Sequence, residues 1–346
     1  MKVARGKFRM GWFGLVFLAS VMMFGCGGGG GDDDGGAAPQ PAPTVPDVVN
    51  YSIGTSSTPL NAILQPGGIT FSLVSVNLAG TLNRVNADLT MSENHSMSFT
   101  MPSPFIAGET LSIGILIPSG GGIVSPGNQQ YPASGALQIN VSSGVTEAFD
   151  RVMGEVITTG VRIEAFDGPD SVAGPTTLTW QQFEALENDP TAEEYLRVAR
   201  YAYSALEFVF EQFSLTYLLL ATVVENDDLL QSNRSIVGAG DVFPGTGRAG
   251  TLQIDWQDAS SNADLGPGDT FVGTFSEFWV DDSNDDIDRM YNGVLRLTGY
   301  IENQGAINNV GGNFVFNNFE EQETKNNVIS PDTTTVNGGF SVLFSW

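Results

Sequence analysis

One cysteine and one histidine in 346 residues close off much of metal and thiol chemistry. Cys26 has no second cysteine to pair with, so no disulfide forms within the chain and stability must come from packing. His95, alone, cannot build a two-histidine zinc site or a His-x-x-x-His metalloprotease motif. Its neighbours Ser92, Glu93, Asn94 and Ser96 read as a polar turn between strands. A Ser-His-Asp triad would have to use His95, and no Gly-x-Ser-x-Gly elbow occurs. A phosphate-cradling Gly-x-x-x-x-Gly-Lys loop and a dinucleotide fingerprint are also missing. Carboxylates are plentiful, but spacing marks no two of them as an acid–base pair. The sequence nominates no catalytic residue, and the chain reads as non-enzymatic.

Basic residues are the other scarcity: 14, against 39 acidic ones, for a formal charge of −25. Four of them, Lys2, Arg5, Lys7 and Arg9, precede the first acidic residue. Without residues 1–25 the charge becomes −29, and Lys325 is the one lysine left. Such a field repels nucleic acid and anionic headgroups and favours cations or basic partners.

The basic start leads into Met10 to Phe24, an apolar run of secretory h-region length, short of the roughly 20 residues that span a bilayer. Gly25-Cys26 ends it, and Gly27 to Gly31 with Asp32, Asp33 and Asp34 follow. Together these residues resemble the signal and lipobox of bacterial lipoproteins. The resemblance implies cleavage before Cys26 and acylation of its thiol. Gly27, where an aspartate would retain such a protein in the inner membrane, implies delivery to the outer membrane. Each buried CH₂ of an acyl chain contributes about 0.8 kcal/mol, so several chains hold firmly without a transmembrane helix. Residues 1–25 are thus expected to be a signal peptide. Residues 26–50, rich in Gly, Asp, Pro and Ala, are expected to be a disordered tether spanning on the order of 25–30 Å.

Residues 51–346 are expected to form one β-rich domain. Ile69, Phe71 and Leu73 alternate with Thr70 and Ser72, and Val74-Ser75-Val76 continues the run. Leu111, Ile113, Ile115 and Ile117 repeat at period two, as do Leu137, Ile139 and Val141, then Val161 and Ile163. This is the pattern of half-buried antiparallel strands. From Thr191 to about Glu225 there is neither Gly nor Pro, and Pro190 with a Thr191/Glu194 capping box predicts a helix over 191–225. A polar stripe runs along it through Arg197, Arg200, Ser204, Glu207, Glu211 and Ser214. The apolar arc is wide enough to bury the helix on most sides, and a curved sheet is the natural partner.

Two later stretches repeat one plan. Phe275-x-x-Phe278 is followed by a loop and Asn292-Gly293, and Phe316-x-x-Phe319 by a loop and Asn337-Gly338. Asn-Gly is expected at a hairpin turn or strand entry. With Gly135 to Ile139 and Thr177 to Trp180, these units resemble a group of β-rich bacterial lipoproteins, a likeness that carries no catalytic motif.

One loop has cation-binding spacing. Asp258, Ser260, Asn262, Asp264 and Asp269 occupy positions one, three, five, seven and twelve of a twelve-residue window, like an EF-hand loop, although Ala263 stands where that loop has glycine. Ca²⁺ is the one cofactor this suggests. Asp281, Asp282, Asp285, Asp286 and Asp288 form a second acidic stretch.

The predicted fold class is mainly β, an antiparallel sandwich or a curved, barrel-like sheet, with one long buried helix. The predicted role is non-catalytic binding or scaffolding at the cell envelope, anchored to the outer membrane through Cys26. A carrier of a lipid or other apolar ligand between sheet and helix is the alternative. A third possibility is a membrane barrel, from the alternating apolar closing strand Phe340 to Trp346.

Overall fold

Alternation of apolar and polar side chains builds most of the chain. The computed structural model describes residues 46–56, 58–65, 69–225, 234–237, 250–259, 268–282, 287–299, 309–325 and 328–346. The fold is mainly β, a single antiparallel sheet with one long helix. Its first half comprises β1 (Val48–Thr55), β2 (Leu60–Gln65), β3 (Thr70–Asn83), β4 (Asp88–Met91), β5 (Ser96–Pro102), β6 (Thr110–Leu116), β7 (Ile123–Ser125), β8 (Gly135–Ser143), β9 (Arg151–Ile157), β10 (Gly160–Asp167) and β11 (Asp170–Thr179). A short helix (Trp180–Ala185), a 3-10 turn (Leu186–Asn188) and the long helix (Glu194–Glu225) follow. The second half comprises β12 (Arg234–Val237), β13 (Thr251–Gln257), β14 (Thr270–Asp282), β15 (Ile287–Thr298), β16 (Asn309–Lys325) and β17 (Val328–Ser345).

The two halves meet through the chain's first strands. β17 pairs with β16 along one edge; along the other it pairs with β1 over 340–345 and with β2 over 333–337. β1 and β2 also pair with β3, so they fill one lane between β17 and β3. β1 begins at Val48, within the stretch read from sequence as tether, and Val49 is fully buried there. The closing strand therefore lies inside the sheet, paired on both sides.

Period two holds in three of the four predicted runs. Leu111, Ile113 and Ile115 in β6, Leu137, Ile139 and Val141 in β8, and Val161 and Ile163 in β10 all face the core. The β3 run shifts phase instead. Leu73 and Val76 are buried while Val74 points out, because the register with β5 breaks between Leu73 and Ser75. The outward rows carry residues such as Gln253, Ser276, Asn313, Asn317 and Glu320, all exposed. A lipid-facing barrel needs its apolar band outside; among the described residues the apolar rows of this sheet face inward. Among them, too, no helix is long and apolar enough to cross a membrane.

The long helix fills the inside. No residue from Tyr195 to Tyr217 is exposed. Phe208 meets Phe71 of β3 at 5.0 Å between ring centres, Phe213 meets Tyr51 of β1 at 4.8 Å, and Tyr217 meets Phe344 of β17 at 5.3 Å. The predicted capping box does not form. Asp189 Oδ1 accepts from the Thr191 backbone N–H and hydroxyl, at 2.9 and 2.6 Å. The helix starts at Glu194, whose carboxylate instead accepts from the backbone N–H groups of Thr146 and Glu147, at 2.8 and 3.0 Å, and from the Thr146 hydroxyl. A real capping box sits one element earlier, between Thr179 and Gln182, so Trp180 opens the short helix rather than continuing the strand.

The Phe-x-x-Phe and Asn-Gly copies turn out to be one structural device used twice. In a regular strand, residues three apart face opposite sides of the sheet. A bulge between Phe275 and Phe278, and another between Phe316 and Phe319, adds one residue and turns all four rings into the core. Glu277 and Asn318 take positive φ in these bulges, 47° and 45°. The side-chain oxygens of Asn292 and Asn337 accept from their N–H groups across the strands, both within 2.8 Å. Asn-Gly thus lies in mid-strand, not at a hairpin turn. A Cβ on Gly338, at φ +93°, would stand 1.8 Å from the Pro59 carbonyl oxygen, so glycine is required where the bend brings backbones together.

Candidate functional site

The polar stripe of the long helix is where chemistry gathers, and it is buried. Arg200 is 3 % exposed. Its guanidinium donates through Nη2 to Glu187, on the 3-10 turn, and through Nη1 to Glu207, two helical turns on, each at 3.2 Å. It also lies over the Phe183 ring at 5.7 Å. Burial pushes the Glu207 carboxyl up to about 7, against the pull of Arg200 and with help from Glu187 and Glu184. The Tyr203 hydroxyl and Ser204 Oγ, on the same stripe, are buried without a hydrogen-bond partner among the described residues.

A second cluster lies one to three turns further along. Arg289 of β15 is 6 % exposed. Its Nε reaches Glu321 Oε1 at 3.2 Å and Glu211 Oε1 at 4.0 Å, and its Nη2 reaches Glu323 Oε1 at 3.5 Å. Strand register delivers these groups: Arg289 stands opposite Glu323, and Tyr291 opposite Glu321. Burial first, and then the Glu211 carboxylate, push Glu321 well above the usual carboxyl range. Nearby on the helix, Gln212 is fully buried, and neither its amide oxygen nor its nitrogen has a partner among the described residues. The carboxylates gathered around the buried Arg289 are groups that can hold and release protons. The cluster also fixes the helix to the sheet. Among the described residues, no group of His, Cys, Asp or Glu side chains is arranged to hold a metal ion.

Of the sequence-predicted site residues, Cys26 lies outside the described residues, as do Ser260, Asn262 and Asp264 of the cation loop. Asp258 and Asp269 are described, at the base of the β13–β14 connection. Asp269 is fully buried; its Oδ1 accepts from the Ala259 backbone N–H at 2.9 Å and its Oδ2 from Trp256 Nε1 at 3.2 Å. The carboxylate at position twelve thus ties Ala259 and Trp256 to the start of β14, with Trp256 stacked on Phe271. Asp285 and Asp286 also lie outside the described residues, and the register sets Asp281 opposite Asp288. His95 sits in its turn with Nδ1 2.8 Å from the Glu93 carbonyl oxygen.

Sequence reasoning saw the stripe but not its partners. Glu187, Glu321, Glu323 and Arg289 carried no motif. The usable signal was phase: Glu321 and Glu323 fall in step with Phe319, and Arg289 with Tyr291, on the inward side of otherwise apolar strands. The chain matches no family model, no curated protein and no solved structure.

Proposed function

We propose that this chain is a lipid-anchored protein of the bacterial outer membrane with a non-catalytic binding or scaffolding role in the cell envelope. The anchor part rests on Cys26, its basic and apolar leader and the Gly/Asp stretch behind it. One observation carries the role. The apolar side of the sheet, where an apolar cargo would lie, is covered by the protein's own helix from Tyr195 to Tyr217. That leaves the polar outward rows as the surface for partners. With 39 acidic and 14 basic residues, the surface suits a basic protein partner or cations and disfavours nucleic acid.

Carriage of a lipid or other apolar ligand is the second reading. Gln212 favours it, because a bound headgroup is one way to satisfy a buried amide. Solvent extraction of the purified full chain, followed by mass spectrometry, separates the two. Scaffolding predicts no extractable lipid in stoichiometric amount, the acyl chains on Cys26 staying covalently attached. One extractable lipid per chain would overturn it in favour of the carrier.

A further inference from the structure

We propose that the long helix is latched to strands β15 and β16 by a proton shared between Glu211 and Glu321, so that the contact weakens as pH rises. Glu211 comes from the helix and Glu321 from β16, yet both carboxylates approach the same Arg289 nitrogen, at 4.0 and 3.2 Å. After burial and the Glu211 charge, a hydrogen bond with Glu211 helps hold the Glu321 carboxyl above its usual range. Ionised carboxylates only accept, so a bond between two of them requires a proton on one. Glu321 Oε2 shows the same need: it is buried and, taken as ionised, has no partner among the described residues. The other groups facing the pair are Arg289 and Tyr291 from β15 and Glu323 from β16. Arg200, the helix's buried cation, is engaged with Glu187 and Glu207. When the proton leaves for bulk water, two carboxylates face each other in a largely buried site, and their repulsion acts between helix and sheet.

The sign follows from linkage. The folded chain holds this proton more tightly than the unfolded one, whose glutamates titrate at about 4.3. The stability it contributes is complete below that value and is lost as pH rises through the raised folded value. Glu207 adds a similar trend, so E207Q serves as the background. In the detergent-solubilised full chain, Tm of E207Q should fall as pH rises from about 5 to 9. In E207Q/E321Q and E207Q/E211Q, where an amide N–H replaces the shared proton permanently, that fall should shrink by half or more. The infrared carboxylic-acid C=O band of E207Q at neutral pH should disappear in both. The same Tm slope in all three, or no such band in E207Q, overturns the latch. Should the double variants fail to fold, the band in E207Q decides alone.

Discussion

Replacing Gln212 with methionine should stabilise the protein. Gln212 is fully buried on the long helix, one turn from Phe208 and Val209 on one side and from Leu215 and Thr216 on the other, all buried. Its amide oxygen and nitrogen lack partners among the described residues. Burying an unpaired amide costs about 1–3 kcal/mol in protein mutational data. Methionine has the same unbranched length and adapts its shape, so the exchange itself should cost under about 1.5 kcal/mol. Removal of the unpaired amide outweighs that cost, and a gain of about 1–2 kcal/mol is expected. Urea denaturation measures it as a higher midpoint at unchanged slope. At roughly 2 °C per kcal/mol for a domain of this size, Tm should rise by a few degrees. A lower midpoint would refute the reasoning: the amide would then have a partner, a water or a ligand group, that methionine cannot serve. That result would also shift the functional reading towards the carrier.

Phe213→Ala should cost about 3–5 kcal/mol, because it empties a site between Tyr51 and Phe344. Ser204→Ala should be neutral or mildly stabilising, since its buried hydroxyl has no partner among the described residues. Equal urea midpoints for these two variants would mean the helix is peripheral. Cys26→Ser should release the protein from the outer-membrane fraction, and undiminished retention on cell fractionation would end the lipoprotein reading. Millimolar Ca²⁺ should raise Tm by several degrees, an effect abolished by chelator and by Asp258→Ala. Asp269→Ala should destabilise with or without calcium, by about 1–3 kcal/mol, because it leaves the Ala259 N–H and the Trp256 indole unpaired. A melting curve unmoved by calcium would end the cation reading of this loop.

How much of this was legible depended on how local each cause was. Strands such as β6 and β8 were visible because alternation is a property of neighbours in sequence. The helix was visible because Gly and Pro are missing from a stretch longer than 30 residues. Its start was misplaced because Thr191 and Glu194 satisfy a local pattern, while Asp189 and the loop at Thr146 compete for the same groups. The duplicated Phe-x-x-Phe plan was seen as repetition, but its meaning lies across the sheet. Only the register shows Asn292 and Asn337 facing the bulges.

The buried clusters were the least legible, because each joins residues that only the fold brings together. Glu211 and Glu321 lie more than 100 residues apart. The hydrophobic effect itself is non-directional. Close packing, such as Phe213 between Tyr51 and Phe344, seats the helix, and directional pairs add a second constraint that ties it to particular polar partners. Successive helix residues differ by about 100° in direction and 1.5 Å in height, so a one-residue slip carries Arg200 away from Glu187 and Glu211 away from Arg289. Unpairing a buried charge costs about 3–5 kcal/mol, which adds to the packing lost in such a slip. Two ionic clusters about three turns apart on one stripe therefore help fix both rotation and height. A stripe that looks from sequence like a solvent-facing side is part of what determines how the helix sits.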